Sequence, residues 1–214
     1  EGGAKPASLY DLKPLAMELR DGQTQQEVSI RKHGQAIGHV FLQTLSKRES
    51  ERYIQILSAW QRSAQKKEML SDYADGNAEA DVKALLDKGY TFLQDWFKKQ
   101  GITHITLYRG VARQGLDDIP PNDGDDVDLD VYSASSWSLD PAVANGFGSR
   151  VVEASVPVED IMFCSLNFPG FAGQERRTPF VLDGDEYCEN EFIVASKGRK
   201  VKCVVRGEPY DDGY

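Results

Sequence analysis

Apolar residues recur at helical spacing through the first hundred positions and at alternate positions after them. Asp11 to Arg20 puts Leu12, Leu15, Ala16 and Leu19 on one face, with Pro14 tolerable only near a first turn. Thr24-Gln25-Gln26-Glu27 has the form of a capping box, and Ile37, Val40, Phe41 and Leu45 follow as a stripe. Tyr53, Ile56, Leu57 and Trp60 make a third stripe; Val82, Leu86, Leu93, Trp96 and Phe97 make a fourth. Asn77 is the expected N-cap of that last helix. Gly101 is its expected stop, just after Lys98 and Lys99, whose charges suit the negative end. All four stripes read as core packing rather than as a ligand groove.

The period changes at Gly101. Thr103 to Gly110 alternates, with Ile105, Leu107 and Arg109 on one side. Further strands are expected at Val127–Ala134, Arg150–Pro157, Ile161–Ser165, Glu191–Ser196 and Val201–Arg206. A short helix, Pro141–Phe147, sits among them, with Ser138 or Asp140 as its cap. Gly115 to Asp130 and Asn167 to Asp185 read as loops, the second long enough to be functional rather than filler. Helices followed by a mostly antiparallel β half predict an α+β fold. The expected division is a helical lobe over 1–101 and a β-rich core over 102–214, together one compact domain.

Composition narrows the class. The 214 residues are 40% hydrophobic and 28% charged, as in folded globular chains. A net charge of −9 argues against wrapping a nucleic-acid backbone, so nucleic acid is not an expected partner. No apolar run approaches the roughly 18 residues needed to span a bilayer, and no signal-peptide pattern is visible. Cys164, Cys188 and Cys203 fit neither a disulfide framework nor a zinc site and read as reduced thiols. The aspartates of the first loop invite a calcium reading, but Val131 stands where an EF-hand needs glycine; a solvated acidic loop is expected instead, and no metal.

Three short stretches carry the candidate chemistry. Leu107-Tyr108-Arg109-Gly110 ends an apolar strand with a guanidinium. Such an arginine must find a partner, whether a structural ion pair or a pyrophosphate, whose oxygens match its planar fork. Gly110 would let a ligand come close to the backbone. Ser136-Trp137-Ser138 aims both hydroxyls at one face and the indole at the other. The serines are either ordinary strand and cap residues or, for Ser136, the support of a catalytic carboxylate. Glu189 and Glu191 share a strand face. That pair alone carries little, since 34 acidic residues give about five such spacings by chance. Together, a cation, hydroxyls and carboxylates suit substitution at an anomeric carbon. One carboxylate stabilises the sugar cation and a second orients the nucleophile.

In this order the three stretches resemble the arginine–serine–glutamate type of mono-ADP-ribosyltransferases, known from bacterial toxins and effectors and from vertebrate surface enzymes. Arg109 matches the arginine, Ser136-Trp137-Ser138 the serine element with Trp137 in place of threonine, and Glu189-Asn190-Glu191 the last element. Leu139-Asp140-Pro141, Val143-Ala144 and Phe147-Gly148 resemble the helix that follows the serines. The resemblance runs from Thr103 to about Arg206 and implies a core of two packed, mostly antiparallel sheets. It implies transfer of ADP-ribose from NAD, the co-substrate, to a protein side chain, with nicotinamide released. It puts Arg109 on NAD phosphate or ribose, Ser136 on Glu191, Glu191 on the nicotinamide-side ribose, and Glu189 on the acceptor. Gly110, Ser138 and Arg150 join the NAD-binding set. The two-glutamate form implies an arginine acceptor, with threonine left open, since Glu186 and not an aromatic precedes Glu189 by three. A glycohydrolase or a non-catalytic binding module are the alternatives on the same fold. By resemblance the chain would be secreted or delivered into a host cytoplasm, with a signalling protein, a small GTPase or ubiquitin as target.

Overall fold

The computed structural model describes residues 37–62, 68–112, 119–120, 122–168 and 191–206. The helix expected at Asp11–Arg20, the capping box at Thr24–Glu27, Cys188, Glu189 and nearly all of the Asn167–Asp185 segment lie outside them. Helix α1 covers residues 37–43, followed by α2 (Lys47–Arg62), α3 (Glu68–Ala74) and α4 (Ala80–Gln100). Ser46 and Glu49 start α2 with a reciprocal capping box: the Ser46 amide donates to Oε2 of Glu49 at 2.9 Å and the Glu49 amide to Oγ of Ser46 at 3.3 Å. Helix α4 buries Val82, Leu85, Leu86, Leu93, Trp96 and Phe97 as one stripe. It ends where expected, at Gly101 with φ 68°, whose left-handed turn lets the amides of Gly101 and Ile102 reach the carbonyls of Lys98 and Phe97. Its N-cap is Glu79, with no side-chain cap bond, rather than Asn77, which lies in the preceding turn with its amide on the Asp72 carbonyl.

The β half supplies β1 (His104–Val111), β2 (Asp126–Leu129), β3 (Ala134–Ser138), β4 (Arg150–Pro157), β5 (Ile161–Cys164), β6 (Glu191–Ala195) and β7 (Val201–Arg206). Helix α5 (Pro141–Asn145) lies between β3 and β4. The strands form a seven-stranded sheet in the order β2-β7-β4-β1-β3-β6-β5, and every pairing is antiparallel. The α+β class is therefore as the hydrophobic pattern predicts. The alternating run expected as one strand over Val127–Ala134 is broken at residues 130–133. Its first half pairs with β7 at one edge and its continuation with β6 across the sheet, so the chain has to turn between them.

The two sheets implied by the resemblance are hydrogen-bonded into one, joined by a narrow seam. Strand β1 pairs with β4 along eight residues but with β3 only at Tyr108 and Ser138. Side chains from both sides of the seam share one core: Ile105, Leu107, Val152 and Val205 from one half, Trp137, Phe192 and Val194 from the other, with Leu93, Trp96 and Phe97 of α4. Each such side chain contributes about 1.5–3 kcal/mol on burial. A second core joins Tyr53, Ile56, Leu57 and Trp60 of α2 to Ile193 and Ala195, on the opposite face of β6. A bulge in β5 between Ile161 and Phe163 turns consecutive Met162 and Phe163 toward this second core. Asn167, fully buried, ends the strand region by accepting from the Cys164 amide and donating to the carbonyls of Gly89 and Met162.

Among the described residues, the second core holds one unmatched side-chain polar atom. The Tyr53 hydroxyl is buried with no hydrogen-bond partner among the described residues, and burial pushes its pKa well up. Tyr53→Phe removes that desolvated group and keeps the ring. Chemical denaturation should give an unchanged midpoint or a gain of up to about 1 kcal/mol. A loss above about 1 kcal/mol would show that the hydroxyl is satisfied.

Candidate active site

The site forms where the seam opens. Beyond Tyr108 and Ser138 the β1–β3 ladder stops, and the Arg109 guanidinium takes up a carbonyl that a continuing ladder would have used: Nη1 donates to the Ser136 carbonyl at 2.5 Å. Arg109 is half-buried, and loss of hydration draws its pKa down from the usual guanidinium value. No ion pair joins it to a carboxylate among the described residues. Among the described residues, then, the structural ion pair that a strand-end arginine ordinarily makes is not formed. The cation remains suited to an anionic ligand.

Ser136 links the cation to the acid. Its carbonyl accepts from Arg109, and its Oγ donates to Oε1 of Glu191 at 2.7 Å. Strands β3 and β6 pair in the register Ser138↔Glu191 and Ser136↔Ile193, so Ser136, Ser138 and Glu191 share one face of the sheet. Trp137 lies on the other face, 2% exposed, with its indole N–H on Oγ of Ser135 at 2.9 Å. Glu191 is 8% exposed, and a second donor meets the same oxygen: Nε1 of Trp60 at 3.1 Å. Hydrophobic periodicity assigns Trp60 to the core of α2 and says nothing of this role. The one available signal is general: a buried indole N–H needs an acceptor.

The remaining candidates differ in what holds them. Oγ of Ser138 accepts from the Asp140 amide at 3.0 Å, and Oδ1 of Asp140 accepts from the Ala142 amide at 2.9 Å as the N-cap of α5. At Gly110 the backbone that comes close is the chain's own. An added Cβ would lie 2.0 Å from the Ala144 carbonyl oxygen and 2.8 Å from the Gly148 nitrogen. Gly148 in turn fits against the backbone of Val111, where a Cβ would lie 2.4 Å away. The two glycines thus let α5 and the turn after it pack onto the end of β1 beside Arg109. Arg150 opens β4 opposite Val111, one register position from the partner of Gly110, and is half-buried. Arg109, Ser136, Ser138 and Glu191 are brought together, Gly110 and Arg150 flank them, and Glu189 lies outside the described residues.

The family model for dinitrogenase reductase ADP-ribosyltransferase matches residues 55–185. The chain belongs to that family. No curated protein and no solved structure matches it significantly. The family's reaction is ADP-ribosyl transfer with NAD as the donor, so this member is a transferase of that kind and NAD its co-substrate. The matched residues include Trp60, Arg109, Ser136 and Arg150, and end before Glu191. The likeness to toxins and effectors read from the three stretches is narrower than the family match, which is to the transfer reaction.

The interlocked glycines give the ADP-ribosyltransferase a testable weak point. Gly110→Ala forces backbone apart at Ala144 and should lower stability by about 1–3 kcal/mol in denaturant titration, as over-packing does. Retention of wild-type stability would mean that α5 is free to move off β1.

Proposed function

We propose that this transferase works in the arginine–serine–glutamate manner and modifies a protein side chain. The observation that carries the reading is the hydrogen-bonded line from the Arg109 guanidinium through Ser136 to the Glu191 carboxylate. Arg109 binds the diphosphate of NAD, where its fork makes charge-assisted bonds, with Arg150 as a second cation. Ser136 fixes the rotamer of Glu191. Glu191 accepts from a hydroxyl of the nicotinamide-side ribose and stabilises the oxocarbenium character that develops as the bond to nicotinamide breaks. At about 4 Å and an effective dielectric near 20, such a pair contributes roughly 4 kcal/mol, or about three decades of rate if made only in the transition state. Glu189 receives the acceptor nucleophile. The family is named for transfer to dinitrogenase reductase, which supports a protein as acceptor class. The two-glutamate form favours arginine as the modified residue, with threonine the next choice.

Glu191→Ala should lower nicotinamide release from NAD by roughly 10³-fold with the circular dichroism spectrum unchanged. Wild-type turnover in that variant would reject the role. Arg109→Lys keeps the charge and loses the fork, so KM for NAD should rise by about tenfold, more than kcat falls. A variant with unaltered KM would remove Arg109 from the binding set. Incubation with labelled NAD and candidate proteins, followed by mass spectrometry of the labelled residue, identifies the acceptor. Release of nicotinamide without any labelled protein would make water the acceptor.

A further inference from the structure

Helix α2 reaches the site through the indole N–H of Trp60. Tyr53, Ile56, Leu57 and Trp60 form the buried stripe of α2, and they pack in one core with Ile193 and Ala195. Alternate residues of a strand share a face, so Glu191 is the next position along the same face of β6. The core therefore ends at an acid, and Trp60, last of the stripe, meets it. Its Nε1 donates to Oε1 of Glu191 at 3.1 Å, across 131 residues of chain, with Trp60 4% exposed. An indole N–H only donates, so at this border it stabilises an ionised acceptor. Oε1 now holds two donors, from Trp60 and Ser136, and Oε2 has none among the described residues.

We infer that Trp60 is a positioning residue for the transfer reaction. With Ser136 it pins one oxygen of Glu191 and leaves the other for the ribose hydroxyl. The inference rests on the reading of Glu191 as the acid that stabilises the sugar cation. Two donors from separate elements, β3 and α2, fix the carboxylate in two directions, whereas one would leave it free to swing about a single bond. A carboxylate placed in advance needs no reorganisation as charge develops, so the benefit falls on the chemical step rather than on NAD affinity. Trp60 touches neither substrate nor the reacting bond in this scheme; it acts through Glu191.

The test compares wild type with Trp60→Phe, with benzothienylalanine placed at position 60, with Glu191→Gln, and with Trp60→Phe combined with Glu191→Gln. Benzothienylalanine keeps the bicyclic shape and puts sulfur where the N–H was, so it decides the matter if the Phe variant does not fold. Nicotinamide release gives kcat and KM for NAD. Both position-60 replacements should lower kcat by roughly tenfold or more, the worth of one hydrogen bond to a charged group, with KM within about twofold. In the Glu191→Gln background, Trp60→Phe should cause no further loss, since the partner charge is already gone. Wild-type kcat in the benzothienylalanine protein, or an equal additional loss in the double variant, overturns the inference and leaves Trp60 a packing residue. Wild-type turnover in Glu191→Gln alone rejects the reading on which it rests.

Discussion

The buried carboxylate of Glu191 is the constraint around which the site is organised. A carboxylate with 8% exposure has lost most of its hydration and must recover hydrogen bonds from the protein. It recovers them from a hydroxyl on β3 and an indole on α2, elements separated by 55 and 131 residues from it in sequence. Neither donor is local. Both donors reach the acid because α2 is seated against β6 and β6 is in register with β3, so the geometry of the site depends on the second core.

The seam between β1 and β3 is the other half of the design. A continuous ladder would have satisfied the Ser136 carbonyl with backbone; instead the strands part after one register pair and a guanidinium takes its place. This sets a cation beside the acid without neutralising it. The link passes through the serine's backbone on one side and its hydroxyl on the other, so the two charges are tied yet not directly paired. The α5 segment, fitted against Gly110, closes the end of β1 that carries the arginine. An anionic, sugar-bearing donor such as NAD suits this separation of charges, consistent with membership of a NAD-dependent transferase family.

Much of the scaffold is legible in the chain because it follows from local period. Arg150–Pro157 and Val201–Arg206 are strands at the expected residues, and the stripes of α2 and α4 are buried as expected. Gly101 closes α4 through its backbone freedom, a property of the residue itself. Misreadings came where tertiary demands overrode local pattern. The alternation over 127–134 continues through a point where the chain must leave one sheet edge for the centre, and Asn77 is drawn into a turn before α4 begins. Helix α3, seven residues long, has too few turns for its period to stand out.

By itself, the sequence determined the change from helices to strands, the places of α2, α4 and most strands, and which residue types stand at strand ends, since alternation, helical spacing and cap chemistry act over a few residues. It also brought Arg109, Ser136 and Glu191 forward as candidates through their order. Only the tertiary structure decided that Ser136 faces two ways, that the space at Gly110 belongs to α5, and that Trp60 meets Glu191. Those contacts depend on strand register and on the seating of one core against another. Such long-range packing leaves no periodic trace in the chain.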